Sequence, residues 1–293
     1  MTSPAWRTVV IEQDSALSCT QGQLTVKSKE GTVRHVPLFD LRTIMVVSLH
    51  VSITSGLINE LNKRQISLIM CDEKKLPSGE FIGYNNHHAT PAKIFEQIHW
   101  SEEHCIKVWE KIVILKIKMQ RNLLNRLNLV SDWKKWDSYQ QSITNGDQSN
   151  REGQAARLYF NVLFGKKFQR RTDTSINAAL NYGYAILCSI ITRSLVSHGY
   201  HTGLGINHCS GTNPLNLSYD LVEPFRPFVD EVVYYRREEE LNKEFKTALI
   251  EIPNKVMSYC GKRMPLTLAA DQFVLNVTKA LNTKTLTFGE TGF

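Results

Sequence analysis

Three residues far apart in this sequence, Glu152, His208 and Glu223, combine two carboxylates with one imidazole. Such a set suits a hard divalent cation, Mg²⁺ or Mn²⁺, held against a phosphate. Each also has a local, non-chemical explanation. Glu152 follows Ser149 at capping-box spacing, with Ala155, Ala156 and Tyr159 next along the same helix face. A carboxylate so near an apolar face needs a compensating charge or a hydrogen bond. His208 lies in Gly199-Tyr200-His201-Thr202-Gly203-Leu204-Gly205-Ile206-Asn207-His208-Cys209-Ser210-Gly211, whose glycines allow tight turns and close backbone approach. There an imidazole can bind a metal, exchange protons near neutral pH, or simply make hydrogen bonds. If Asp220 opens a helix, Glu223 falls in its first turn, where the helix charge favours a carboxylate and Pro224 is tolerated. Asp220-x-x-Glu223 is equally readable as a cap. Arg226, three residues on, shares a face with Glu223 and can pair with it or clamp a phosphate.

The charge around these residues points to a polyanion. The net charge is +7, and eight Lys or Arg lie between Lys107 and Lys135 against only Glu110 and Asp132. Six more lie between Arg151 and Arg171 against Glu152 alone, whereas from Asp220 to Glu251 nine acids face five bases. A positive surface beside concentrated carboxylates suits a metal-dependent nucleic-acid enzyme, although solvated helix faces would give similar runs. Lys134, Lys135, Arg151, Arg157, Lys166, Lys167, Arg170 and Arg171 are the candidates for contacts to a nucleic-acid backbone. Trp133 and Trp136 beside the lysines could stack on bases, but a core anchor with a solvated flank fits them better.

The elements that must position these groups change character along the chain. Trp6–Ile11, Leu24–Lys27, Thr32–Val36, Ile44–Val47 and Ser67–Cys71 are short and rich in Val, Ile or Thr, as strands are. Lys29-Glu30-Gly31 predicts a hairpin turn and Pro77-Ser78-Gly79 another turn. One helix interrupts the strands, marked by Ile53, Leu57, Ile58 and Leu61. Residues 85–95, including Asn85-Asn86-His87-His88-Ala89-Thr90-Pro91, lack periodicity and read as a linker. Beyond it, Ile106, Trp109, Ile112, Val113, Lys116, Ile117 and Gln120 carry a 3.6-residue pattern, and further helices are predicted at about 149–164, 175–197, 221–245 and 264–281. Asn177 and Asn181 lie one turn apart on the apolar 175–197 segment. The tail after Leu281 reads as irregular. The expected fold is multidomain α and β: a small N-terminal β-rich domain with one helix at 1–84, the linker at 85–95, and a larger all-α domain at 96–293.

The six cysteines are scattered without a C-x-x-C, so neither a zinc site nor a disulfide framework is expected. No uncharged stretch reaches 18 apolar residues, and the amino terminus does not read as a leader, so a cytoplasmic protein without membrane partners is expected.

In order, these segments resemble the active-site segments of the CRISPR adaptation integrases, which insert new spacers into CRISPR arrays in antiviral defence. The resemblance spans essentially the whole chain and is closest to type II forms. It is carried by Arg42-Thr43-Ile44-Met45-Val46-Val47, the Asn85–His88 junction, the Glu152 helix, Asn177-x-x-x-Asn181-Tyr182-Gly183-Tyr184, the glycine loop ending at His208, and Asp220-Leu221-Val222-Glu223-Pro224-Phe225-Arg226-Pro227. It implies that Glu152, His208 and Glu223 bind Mg²⁺ or Mn²⁺, with Asp220, Arg226 and Asn181 in supporting roles. It further implies an N-terminal dimerisation domain and a C-terminal catalytic domain. The implied partners are DNA as protospacer duplex and CRISPR repeat, a second copy of the chain, the small second adaptation protein and other type II array-encoded proteins. Many members have His-His where this chain has Asn207-His208, so Asn207 cannot supply a second imidazole. The implied reaction is attack of a DNA 3′-hydroxyl on a phosphodiester at a repeat border. A noncatalytic nucleic-acid scaffold and a plain metal-dependent nuclease are the competing readings.

Overall fold

The computed structural model describes residues 7–73, 75, 77–81, 83, 89–129, 132–286, 288, 289, 291 and 292. Trp6 and the Asn85–His88 junction lie outside the described residues. The chain forms two compact units that part between His88 and Ala89.

The N-terminal unit contains β1 (Arg7–Ile11), β2 (Ser15–Thr20), β3 (Gln23–Ser28), β4 (Val33–Pro37), β5 (Leu41–Val46), β6 (Val51–Ile53), α1 (Ser55–Lys63), β7 (Ser67–Cys71) and β8 (Pro77–Phe81). One sheet has the order β1-β5-β7-β8 and the other β4-β3-β2-β6. The Lys29-Glu30-Gly31 turn joins β3 to β4 with Gly31 at φ +89°. Thr54 caps α1 by accepting the Leu57 N–H at 3.3 Å, and Leu57 and Leu61, one turn apart, are buried in the core with Leu17, Leu24 and Ile44. Ile53, expected in this helix, ends β6 instead. Pro77-Ser78-Gly79 is not a turn but the start of β8, an edge strand, the position in a sheet where proline and glycine are tolerated.

The C-terminal unit is mostly helical. It contains α2 (Thr90–Ile98), α3 (Glu102–Arg126), α4 (Trp133–Gln141), α5 (Arg151–Phe164), α6 (Ser175–Ser197), α7 (Asn216–Val222), α8 (Pro227–Tyr235), α9 (Lys243–Ile250), β9 (Val256–Tyr259), β10 (Lys262–Pro265), α10 (Leu266–Thr283) and β11 (Thr291–Gly292). The three strands form a small sheet in the order β10-β9-β11, so this unit is not all-α and the tail is not wholly irregular. The segment expected as linker already enters α2 at Thr90. The single helix expected over 221–245 is instead split among three α-helices: α7, α8 after a 3₁₀ turn at Glu223–Phe225, and α9 after a further break. Pro224 and Pro227 explain the first breaks, since each lacks the N–H that a continuing helix needs.

α3 packs against α5, the Glu223–Phe225 turn, α8 and α10, so it forms the floor from which the site is built. Trp136 on α4 is fully buried, the core role expected of it. By length and composition α6 could cross a membrane, but 67% of its apolar window is buried inside the protein, as in a core helix. None of the six cysteines forms a disulfide.

Candidate active site

Trp109 and Lys116 lie seven residues apart on α3 and therefore share a face, two turns apart. Both are buried, and the Lys116 ammonium stands between two carboxylates, 2.5 Å from Glu152 Oε1 and 2.5 Å from Glu223 Oε2. Those two oxygens therefore lie within twice that distance of each other. Arg226 holds the other Glu223 oxygen, Oε1, at 2.9 Å.

The start of α5 frees Glu152 for this arrangement. The capping box expected between Ser149 and Glu152 does not form, because Asn150 is the N-cap and accepts the Gly153 N–H at 3.1 Å. Asp147 accepts the Arg151 and Glu152 N–H groups, both at 2.8 Å. With the first-turn donors satisfied by these two residues, the Glu152 carboxylate is available to Lys116.

Asp220 does not open a helix, as the sequence suggested, but lies inside α7 with no solvent exposure. Its carboxylate gathers the histidine loop. Oδ2 accepts the N–H groups of Ile206 at 2.7 Å and Asn207 at 3.2 Å, while Oδ1 accepts the His208 N–H at 3.0 Å and meets His208 Nδ1 at 2.6 Å. The loop turns so tightly here that a Cβ on Gly205 would sit 2.1 Å from the His208 carbonyl oxygen and 2.9 Å from Asp220 Oδ2. The His208 ring meets Trp109 edge-on, with centroids 5.8 Å apart. A carboxylate on Nδ1 fixes the ring so that Nε2 is the nitrogen presented to a ligand.

The electrostatics agree with this geometry. The hydrogen bond that the His208 ring donates to Asp220 raises the His208 pKa above its ordinary value against the opposing effect of burial, with Glu223 and Glu152 adding to the rise. Burial alone would push Glu223 up, but Arg226 and Lys116 outweigh it and hold the carboxyl below its usual range. Burial likewise works against the charged form of Lys116, and the two glutamates overcome it and raise the pKa. Glu223 and Lys116 are thus each favoured in their charged forms.

Behind Arg226 stands a second layer. Its guanidinium lies 4.6 Å from the Tyr184 ring centroid, and Arg170 lies 5.3 Å from the same ring. Asn177 and Asn181 accept hydrogen bonds from Arg170 at 2.7 and 2.9 Å. Asn181 is therefore connected to the site through Arg170 and Tyr184, and it is exposed where its sequence setting suggested burial. The hydroxyls of Tyr159 and Tyr184 both donate to the buried Asp230, the former at 2.8 Å. Of the other basic candidates, Lys134, Lys135, Arg157, Lys166, Lys167 and Arg171 are exposed, and Arg151 donates to Gln154 at 3.0 Å.

Lys116 was legible as a lysine on an apolar helix face, and Asp230 as an acid within the apolar run Phe228-Val229-Asp230-Glu231-Val232. Both patterns demand a buried partner, but neither says which.

The sequence from residue 8 to residue 252 matches the family CRISPR associated protein Cas1. The chain belongs to that family. It is 33% identical over 274 residues to the CRISPR-associated endonuclease Cas1 of Neisseria meningitidis serogroup C (strain 8013), covering 92% of this chain and 90% of the relative. The Cas1 fold recurs in a casposase bound to integration product, with a TM-score of 0.81 at 19% identity, over 96% of this chain and 92% of the other. A Cas6-RT-Cas1–Cas2 complex matches at 0.76 with 20% identity, over 98% of this chain and 36% of that one.

The donor set of this Cas1 chain fits a divalent cation. Two carboxylates already converge on one cationic group, and an oriented imidazole belongs to the same electrostatic cluster. Among the described residues, no three His, Cys, Asp or Glu side chains stand at metal-holding spacing; the Lys116 ammonium joins the two glutamates instead.

Proposed function

We propose that this Cas1 chain is a divalent-metal-dependent DNA integrase that inserts short DNA duplexes into a CRISPR repeat array. The observation that carries the reading is the pair Glu152 and Glu223 facing one cationic position beside an imidazole that Asp220 holds in orientation. In the reaction a DNA 3′-hydroxyl attacks a repeat-border phosphodiester. A new P–O bond forms, the bond to the departing 3′ oxygen breaks, and the proton lost by the attacking hydroxyl is balanced by one gained by the leaving group. Glu152, Glu223 and His208 through Nε2 are the residues that would hold Mg²⁺ or Mn²⁺. When bound, the cation supplies neutralisation of charge on the phosphate and on the leaving oxygen. Arg226 keeps Glu223 in place, Asp220 keeps His208 in place, and the exposed bases from Lys134 to Arg171 offer sequence-independent contacts to DNA phosphates.

Support for integration comes from the fold shared with a casposase bound to integration product, and support for assembly with a second adaptation protein from the fold shared with a Cas1–Cas2 complex. The N-terminal unit is assigned to homodimerisation and the C-terminal unit to catalysis, with the protein acting in the cytoplasm at the array. A passive scaffold would gain nothing from burying Lys116 and Glu223, because an apolar cluster of similar volume is commonly as stable or more so.

A labelled 3′-hydroxyl duplex, a supercoiled plasmid carrying the repeat and Mn²⁺ test the proposal on one gel. Branched products are expected. Free cleaved ends alone would assign a plain nuclease, and absence of any product with the partner proteins present would favour a scaffold. Glu152→Gln is expected to lower strand transfer at least about a hundredfold, the loss of a metal-binding charge; full metal-dependent transfer by this variant would overturn the assignment.

A further inference from the structure

We propose that Lys116 is a resident placeholder cation, holding Glu152 and Glu223 together until a divalent ion displaces it. The inference rests on the reading of these glutamates as metal ligands. Two carboxylates facing one another inside a protein repel, and the pair keeps its spacing only with a positive charge between them. In this chain that charge belongs to Lys116, whose ammonium contacts both glutamates at 2.5 Å.

Two cations touch Glu223, and they are not equivalent. Arg226 is tied to Oε1 at 2.9 Å and stacked over Tyr184, so its planar group is held from two sides. Lys116 offers a compact ammonium on a flexible four-carbon arm, directed at the oxygens of both glutamates. Lys116 is therefore the group that can yield while Arg226 stays. The route for exchange lies on the Glu152 side, whose side chain is 26% exposed against 6% for Glu223. Metal loading is then an exchange of one positive charge for two, not the addition of two charges to an empty acidic pair. The carboxylates are preorganised, and part of the ion's binding energy is spent on ejecting the lysine. Lys116 is accordingly a positioning residue that sets metal affinity.

Direct Mn²⁺ binding by the full-length chain, read from the electron paramagnetic resonance signal of the free ion, tests this without recourse to activity. Lys116→Gln and Lys116→Met are expected to bind Mn²⁺ at least about tenfold more tightly than wild type, the effect of removing one competing charge from a buried site. Glu152→Gln, run in parallel, is expected to lose binding. If wild type and Glu152→Gln bind alike, the metal assignment fails and the placeholder fails with it. If Glu152→Gln loses binding while the folded Lys116 variants bind as wild type does or more weakly, only the placeholder is overturned. Wild-type protein gives a reading that needs no substitution: mass-spectrometric amine labelling should find Lys116 protected without Mn²⁺ and reactive with it. Protection unchanged by Mn²⁺ in a chain that binds the ion overturns the proposal.

Discussion

The two units of this chain bury different kinds of side chain. Among the described residues of the N-terminal unit, the interior is Ile11, Leu17, Leu24, Leu41, Ile44, Leu57, Leu68 and similar residues, and Ser67 is the one polar side chain classed with them. The C-terminal unit buries Lys116, Asp220, Glu223, Asp230 and Glu231 among its apolar residues. Burying a leucine gains about 1.5–3 kcal/mol, whereas burying an ion costs several kcal/mol before its partners repay it. Packing explains the first interior completely. The second carries a cost that packing does not require, and every one of these ions is matched to a stated partner: Lys116 to two glutamates, Asp220 to the histidine loop, Asp230 to two tyrosines, and Glu231 to Arg126 and Lys255 at 3.0 and 2.8 Å. The contrast separates a unit shaped by packing from one that also buries paired charge.

The largest effect is expected from Asp220→Ala, which leaves the three N–H groups of Ile206, Asn207 and His208 and the His208 ring without their shared acceptor. A loss of about 4 kcal/mol in urea unfolding is expected, together with loss of Mn²⁺ binding. A stable variant with wild-type metal affinity would remove Asp220 from the functional set and weaken the contrast. Leu24→Ala, in the N-terminal interior, should cost about 3 kcal/mol through the lost transfer energy and the cavity. Because that unit is built by packing alone, Mn²⁺ affinity should not change.

Asp230 sharpens the comparison through pH. Burial raises its pKa from 3.8 to about 6, although the Tyr184 and Tyr159 hydroxyls pull it partly back. Between those values the folded state holds a proton that the unfolded state has released, so stability falls as pH rises through the window and, above it, no longer changes with the titration of this group. The difference amounts to about 2–3 kcal/mol at about 1.4 kcal/mol per unit. Asp230→Asn cannot ionise and should lack this fall when urea unfolding is compared across the window. Parallel curves for the two proteins would show that Asp230 titrates as an ordinary surface acid.

Much of this was readable from local pattern, and the remainder depended on distant partners. α6 runs over Ser175–Ser197, the span its apolar periodicity predicts, because Thr174 caps it and the core accepts it on nearly every side. β8 departs from the turn predicted at Pro77-Ser78-Gly79 because Pro77 and Gly79 are turn formers in isolation, and only the sheet order reveals that the strand lies at an edge. The segment from Asp220 to Phe245 has helical composition throughout, yet Pro224 and Pro227 divide it, leaving Glu223 at the break, where it faces α3. Glu152, His208, Asp220 and Glu223 could be nominated from residue type, local motif and family resemblance. Lys116 could not be nominated with them: its helix face reveals that it is buried, but its partners are remote in sequence.

The smallest effect bears on the most ambiguous residue of the sequence. If Glu152 were there to cap α5, the helix would depend on it, and removing Asn150 would matter little. The structure has the roles reversed, with Asn150 Oδ1 on the Gly153 N–H and Asp147 on the two N–H groups before it. Asn150 also adopts φ 51°, a left-handed conformation in which alanine is strained and glycine is at ease. Asn150→Ala is therefore expected to cost about 1–2 kcal/mol in urea unfolding, and Asn150→Gly only a few tenths, about 0.3 kcal/mol, because relief of strain offsets the lost bond. Mn²⁺ affinity should survive both changes. Equal and negligible costs would return the capping role to Glu152, and would place its carboxylate among the ordinary helix-starting groups that the N-terminal unit's Thr54 exemplifies.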